Sequence, residues 1–154
     1  MDLGLQNKTM TDAIKVLVVD DEYRSRKTLR ALLLDLGYTK IHEANDGAAG
    51  LQAMRAVAPD IVLLDWEMPD MGGAEFVRTL RSGSAFSAPQ VPIIMLIRHG
   101  ERSRMLEAVG LGVLEFLLKP VSSTALKTRM LSALNKPRTL ARRDALSSSR
   151  KLAS

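Results

Sequence analysis

Residues 59–73 read PDIVLLDWEMPDMGG, and the fold is decided here. Residues 61–64 form a continuous apolar run rather than an alternating one, which suits a strand covered on both faces of a parallel sheet. The run ends in an acid, Asp65, ahead of a turn-rich segment that closes at Gly72-Gly73. Phe76, Val77 and Leu80 then follow at helical spacing. A buried strand, an acidic loop and an amphipathic helix make one βα unit.

The same grammar recurs outward in both directions. Apolar runs at 14–19, roughly 40–44, 91–97 and 113–118 predict four more strands. Leu29, Leu32, Leu33 and Leu36 fall at i, i+3, i+4, i+7 and stop at Gly37. Leu51 and Met54 follow Asp46-Gly47, and Met105, Leu106 and Val109 precede Gly110. Leu126, Met130 and Leu134 carry a last helix, with Ser122 or Ser123 as its N-cap. The order is (βα)5, an α/β doubly wound, five-stranded parallel sheet, since right-handed crossovers put helices on both faces. Residues 83–92, GSAFSAPQVP, read as a loop. The expected organisation is a flexible segment over 1–12, one folded domain over 13–135 and a basic, disordered tail over 136–154.

Bulk properties narrow the function classes. The 154 residues are 46% hydrophobic and contain no cysteine, which allows one ordinary core and excludes disulfides and thiolate metal sites. The net charge is +5, yet residues 1–135 carry equal numbers of acids and bases, so the excess belongs to the tail. No secretory leader is legible at the N-terminus, and no apolar stretch approaches the ~20 residues of a membrane span. A soluble, cytoplasmic protein is expected.

Ligands in open parallel α/β sheets sit beyond the carboxyl ends of the strands. Three predicted strands end in charge: the first in Asp20-Asp21-Glu22, the third in Asp65, the fifth in Lys119-Pro120. Singly, each has an ordinary explanation, because acids cap helices and lysines end strands in water. Together they describe a crevice of three carboxylates and one ammonium, which cannot all stay charged without a cation. Oxygen ligands alone favour a hard ion such as Mg2+, and Mg2+ favours phosphate as co-ligand. An aspartate in that setting can attack phosphorus.

The stretches VLVVDDE, PDIVLLDWEMPDMGG, VPIIMLI and EFLLKPVS together resemble the signature of CheY-like response-regulator receiver domains, over about residues 14–135. The resemblance implies a flavodoxin-like receiver fold and a bacterial two-component phosphorelay protein that is not itself an enzyme. By the same resemblance Asp65 is the phosphoacceptor. Asp21 ligates Mg2+ directly, Asp20 acts largely through water, and Glu67 gives a backbone carbonyl. Lys119 pairs with the phosphate, and its bond to Pro120 is cis. The implied partners are a histidine kinase or histidine phosphotransfer protein and a downstream protein at the surface of the fourth helix, fifth strand and fifth helix.

One part of the pattern departs. Receivers carry Thr or Ser at the end of the fourth strand and then a small residue, where this chain has Ile97 and Arg98. Isoleucine offers no donor to a phosphoryl oxygen, so coupling to the aromatic position, Phe116, is altered. Arg98 either offers its guanidinium to the phosphate or obstructs the site. Two other readings therefore stand beside the phosphorylated module. One is a pseudo-receiver adaptor working without phosphate, with an anionic second messenger such as cyclic di-GMP bound at Arg138, Arg142 and Arg143. The other is a phosphatase of haloacid-dehalogenase type, which wants D-x-D where this chain has DWE and a cap domain for which there is no length. The tail is too short for a helix-turn-helix, so no DNA-binding domain is expected. Lone His42 and His99 read as structural or solvent-facing, the methionines Met54, Met105 and Met130 as core, and Trp66 as partly exposed on its loop.

Overall fold

The computed structural model describes residues 10–82, 86 and 89–135, with only the backbone of His99, Glu101 and Arg102. The tail residues Arg138, Arg142 and Arg143 lie outside the described residues. In chain order the elements are β1 (Lys15–Val19), α1 (Tyr23–Asp35), β2 (Lys40–Ala44), α2 (Gly47–Val57), β3 (Ile61–Asp65), α3 (Gly73–Ser82), β4 (Ile93–Ile97), a 3-10 segment (His99–Arg104), α4 (Met105–Gly110), β5 (Glu115–Leu118) and α5 (Ser123–Asn135). All strands pair in parallel in the order β2-β1-β3-β4-β5. The chain thus adopts the doubly wound flavodoxin-like receiver fold. Residues 10–13 form a helical turn leading into β1, and Thr39 Oγ1 donates to Asp12 there at 3.1 Å.

The continuous apolar runs are explained by a core on each face. Leu17, Val19, Val62, Leu64, Met95 and Ile97 point to the side of α2, α3 and α4, where Leu51, Met54, Phe76, Leu80 and Ala108 cover them. Their chain neighbours Val16, Val18, Ile61, Leu63, Ile94 and Leu96 point the other way, against Leu29 and Leu33 of α1 and Leu126 and Met130 of α5. Successive strand side chains alternate faces, so a strand apolar on both must be buried on both. The Ser122 hydroxyl accepts from the Ala125 amide at 3.1 Å and caps α5.

Two expectations fail. The apolar face assigned to the fourth helix is largely outside: Leu106 is 81% and Val109 46% exposed, while Ala108 is fully buried and Met105 and Leu111 are partly buried against the core. The 3-10 segment before α4 has three residues per turn, and the buried stripe runs 105, 108, 111 instead of 105, 106, 109. Trp66 is 4% exposed rather than half out. Its amide donates to Leu96 O at 3.0 Å, extending the β3–β4 ladder by one residue, and its indole packs with the core under α3.

Candidate functional site

The carboxyl end of the sheet gathers the charged strand ends. β1 and β3 are adjacent, so Asp20 and Asp65 stand side by side at their ends. Asp20 is fully buried and Asp65 1% exposed, whereas Asp21 faces solvent. One oxygen from each of the three lies within 4.8 Å of the others. β5 is an edge strand with β4 between it and β3, so Lys119 reaches the acids past the end of β4. Its Nζ stands 2.8 Å from Asp20 Oδ2 and 3.4 Å from Asp65 Oδ2. The Lys119-Pro120 peptide is cis, and the Lys119 amide donates to Ile97 O at 2.7 Å.

Local backbone structure holds each acid in place. The Glu22 amide donates to Asp20 Oδ1 at 2.9 Å, and Arg26 of α1 donates to Asp20 O at 2.9 Å. The loop after Asp65 folds back tightly, with the Gly73 amide donating to Trp66 O at 2.8 Å. A Cβ at Gly73 would lie 2.9 Å from Asp65 O and 3.0 Å from Trp66 Cα, so only glycine lets α3 start against the end of β3. Glu67 sits exposed on that loop.

The two buried acids are pushed in opposite directions. Burial raises Asp20, but hydrogen bonds from Lys119, Ser25 and the Glu22 amide outweigh it and hold the carboxyl below its ordinary range. Asp65 is raised to about 7, first by burial and then by the charges of Asp20 and Asp21, against the pull of Lys119. Its Oδ2 is the one buried side-chain polar atom among the described residues that makes no hydrogen bond, because Lys119 sits at ion-pair range without bonding geometry. An orphaned carboxylate oxygen beside two other carboxylates fits a hard cation, and the three candidate ligand atoms are all carboxylate oxygens. Mg2+ therefore suits the site.

At the end of β4, Ile97 is 3% exposed and presents no donor. Arg98, one residue on, pairs with Glu22 at 3.4 Å, joining the loop after β4 to the loop after β1. Phe116 of β5 is partly buried beside Met95 and packs on the core under α4. His42 is exposed on β2, and no ligand cluster among the described residues includes it. Sequence reasoning passed over Ser25, Arg26 and the Glu22 partnership. Arg26 lies one helical turn after Glu22, the signal that it could turn back toward the acids, whereas the Glu22–Arg98 pair spans 76 residues and has no local signature.

Residues 16–131 match the family described as the response regulator receiver domain. Chemotaxis protein CheY-3 of Vibrio cholerae is 32% identical over 127 residues, covering 82% of this chain and 93% of that protein. Chemotaxis protein CheY1 of Helicobacter pylori is 35% identical over 118 residues, covering 76% and 94%. Among solved structures, Vibrio cholerae CheY4 superposes with a TM-score of 0.70 at 30% identity, covering 79% of this chain and 98% of that one. The receiver domain of NtrX from Brucella abortus gives 0.73 at 26% identity, covering 80% and 100%. With the fold, the acidic cluster and these likenesses in agreement, the chain belongs to the response regulator receiver family, as a CheY-like module of two-component phosphorelay signalling.

Proposed function

We propose that Asp65 accepts a phosphoryl group from a phosphohistidine of a histidine kinase or phosphotransfer protein in the cytoplasm. The observation that carries this reading is the buried, unbonded Oδ2 of Asp65 set among Asp20, Asp21 and Lys119. A carboxylate oxygen attacks phosphorus, the phosphorus–nitrogen bond breaks, and the imidazole leaves with the electron pair. Asp20, Asp21, Asp65 and the Glu67 carbonyl would hold Mg2+. The ion supplies charge neutralisation at the phosphoryl oxygens and lets Asp65 stay ionised at neutral pH. Lys119 carries the remaining positive charge, already aimed between Asp20 and Asp65.

Output is a protein contact on α4, β5 and α5. Four exposed large apolar side chains support this: Leu106 and Val109 on α4, Leu114 before β5 and Leu131 on α5. Incubation with acetyl phosphate or phosphoramidate and Mg2+ should add one phosphoryl mass to the wild type and none to Asp65→Asn. Refusal by a folded wild-type chain would favour the pseudo-receiver reading, to which the buried, donorless Ile97 already points.

A further inference from the structure

We propose that Arg98 is a phosphoryl-binding residue, which leaves Glu22 and donates to the phosphoryl oxygens on Asp65 in the place where Ile97 has no donor. The inference rests on Asp65 being the acceptor.

Position comes first. Asp65 pairs with Leu96 in the β3–β4 register, and the Lys119 amide bonds Ile97 O. Arg98 therefore leaves the sheet between the strand of the acceptor and the strand of the lysine. Its Nη2 lies 3.4 Å from Glu22 Oε2, and Glu22 is tied through its own amide to Asp20 Oδ1. The guanidinium is thus held by the residue that directly follows Asp20-Asp21 in the chain.

Energetics favour an exchange. Arg98 and Glu22 are 55% and 53% exposed, and ion pairs in that setting contribute little to stability. A phosphoryl group brings close to two negative charges and three acceptor oxygens to a site whose one buried ammonium, Lys119, already serves Asp20 and Asp65. A planar guanidinium is the side chain best shaped to take two such oxygens at once. The dianion therefore outcompetes the solvated Glu22 carboxylate for Arg98.

The test is titration of Mg2+-saturated protein with beryllofluoride, a phosphoryl mimic, followed by calorimetry and by the side-chain Nε–H resonances of arginine. Arg98→Ala should weaken beryllofluoride binding about tenfold while Mg2+ affinity stays within about twofold, the loss expected for one charge-assisted contact. Arg98→Lys should recover part of the loss, and the Nε–H signal missing from both variants should shift in the wild type on addition. Equal or tighter binding by Arg98→Ala overturns the assignment and makes Arg98 a bystander or an obstruction. A folded wild type that binds no beryllofluoride at all overturns Asp65 as acceptor, and this inference with it.

Discussion

Two regions meet at the carboxyl end of the sheet, and they are built on opposite terms. At the ends of β1 and β3, Asp20 and Asp65 are almost fully buried, and the main chain around them is held by bonds from Glu22, Arg26 and Gly73. At the end of β4 the chain turns outward through Arg98 into a 3-10 segment, and α4 then leaves Leu106 81% exposed. Buried charge demands fixed partners, so the acceptor half can rearrange only at large cost. The β4–α4 half holds few such obligations, so its contacts can be remade for a fraction of that. Chemistry and response are thus divided between a rigid wall and an adaptable one.

The division can be broken most forcefully at Lys119. Lys119→Ala leaves two buried carboxylates without their cation and should cost about 3–5 kcal/mol of stability in Mg2+-free buffer. Mg2+ should return much of it by supplying the missing charge. Urea unfolding with and without Mg2+ checks this, and a loss under about 1 kcal/mol would mean the acceptor half is not held by charge pairing.

A smaller effect is expected from pH. Asp65 is raised to about 7 from an ordinary 3.8, so between those values the unfolded chain releases a proton that the native chain keeps. The stability this group contributes is full below the unfolded value and is lost as pH climbs through about 7. Asp65→Asn removes that slope, and without Mg2+ it should exceed the wild type at pH 8 by on the order of 2–3 kcal/mol. Parallel stability curves for the two proteins from pH 4 to 8 would sink the account of a strained acceptor.

The adaptable wall is probed by Ile97→Thr. Threonine keeps the β-branch of buried Ile97 but drops its δ-methyl and buries a hydroxyl in place of carbon, so the loss in melting experiments should be about 1–2 kcal/mol. The hydroxyl gains a charge-assisted bond only when a phosphoryl mimic is present, and only such a difference between states can shift a population. Arg98 gives the wild type one such difference beyond the end of β4, whereas the hydroxyl acts on the strand that pairs with Phe116. Beryllofluoride should therefore move the NMR signals of Phe116 and α4 less in the wild type than in the variant. A full response in the wild type would show that the switch does not need that hydroxyl.

Much of this architecture is legible in the sequence. Burial on both faces wrote the strands as unbroken apolar runs, and each charged strand end stood out because it interrupted one. What stayed hidden depends on phase and distance. Leu106 and Val109 look like core by hydrophobicity, yet the tight turn ahead of α4 rotates small Ala108 inward in their place. Trp66 looks like a loop residue, but its amide still belongs to the ladder. Lys119 was legible as a residue but not in its reach, since chain order does not reveal that β4 separates β5 from β3. The partnership of Arg98 with Glu22 exists only in three dimensions.

The strand order has one more consequence, for self-association. A five-stranded open sheet has two edges whose unpaired amides and carbonyls invite another chain to add a strand. β2 forms one edge and reads KIHEA, with Lys40 and His42 exposed and Glu43 clamped by Arg26, Lys27 and Arg30. A strand laid alongside would have to accommodate that charge. β5 forms the other edge, only four residues long, and it runs out through Lys119 into Pro120, which has no amide to offer. The proline that follows Lys119 thus also shortens the template on which aggregates would grow.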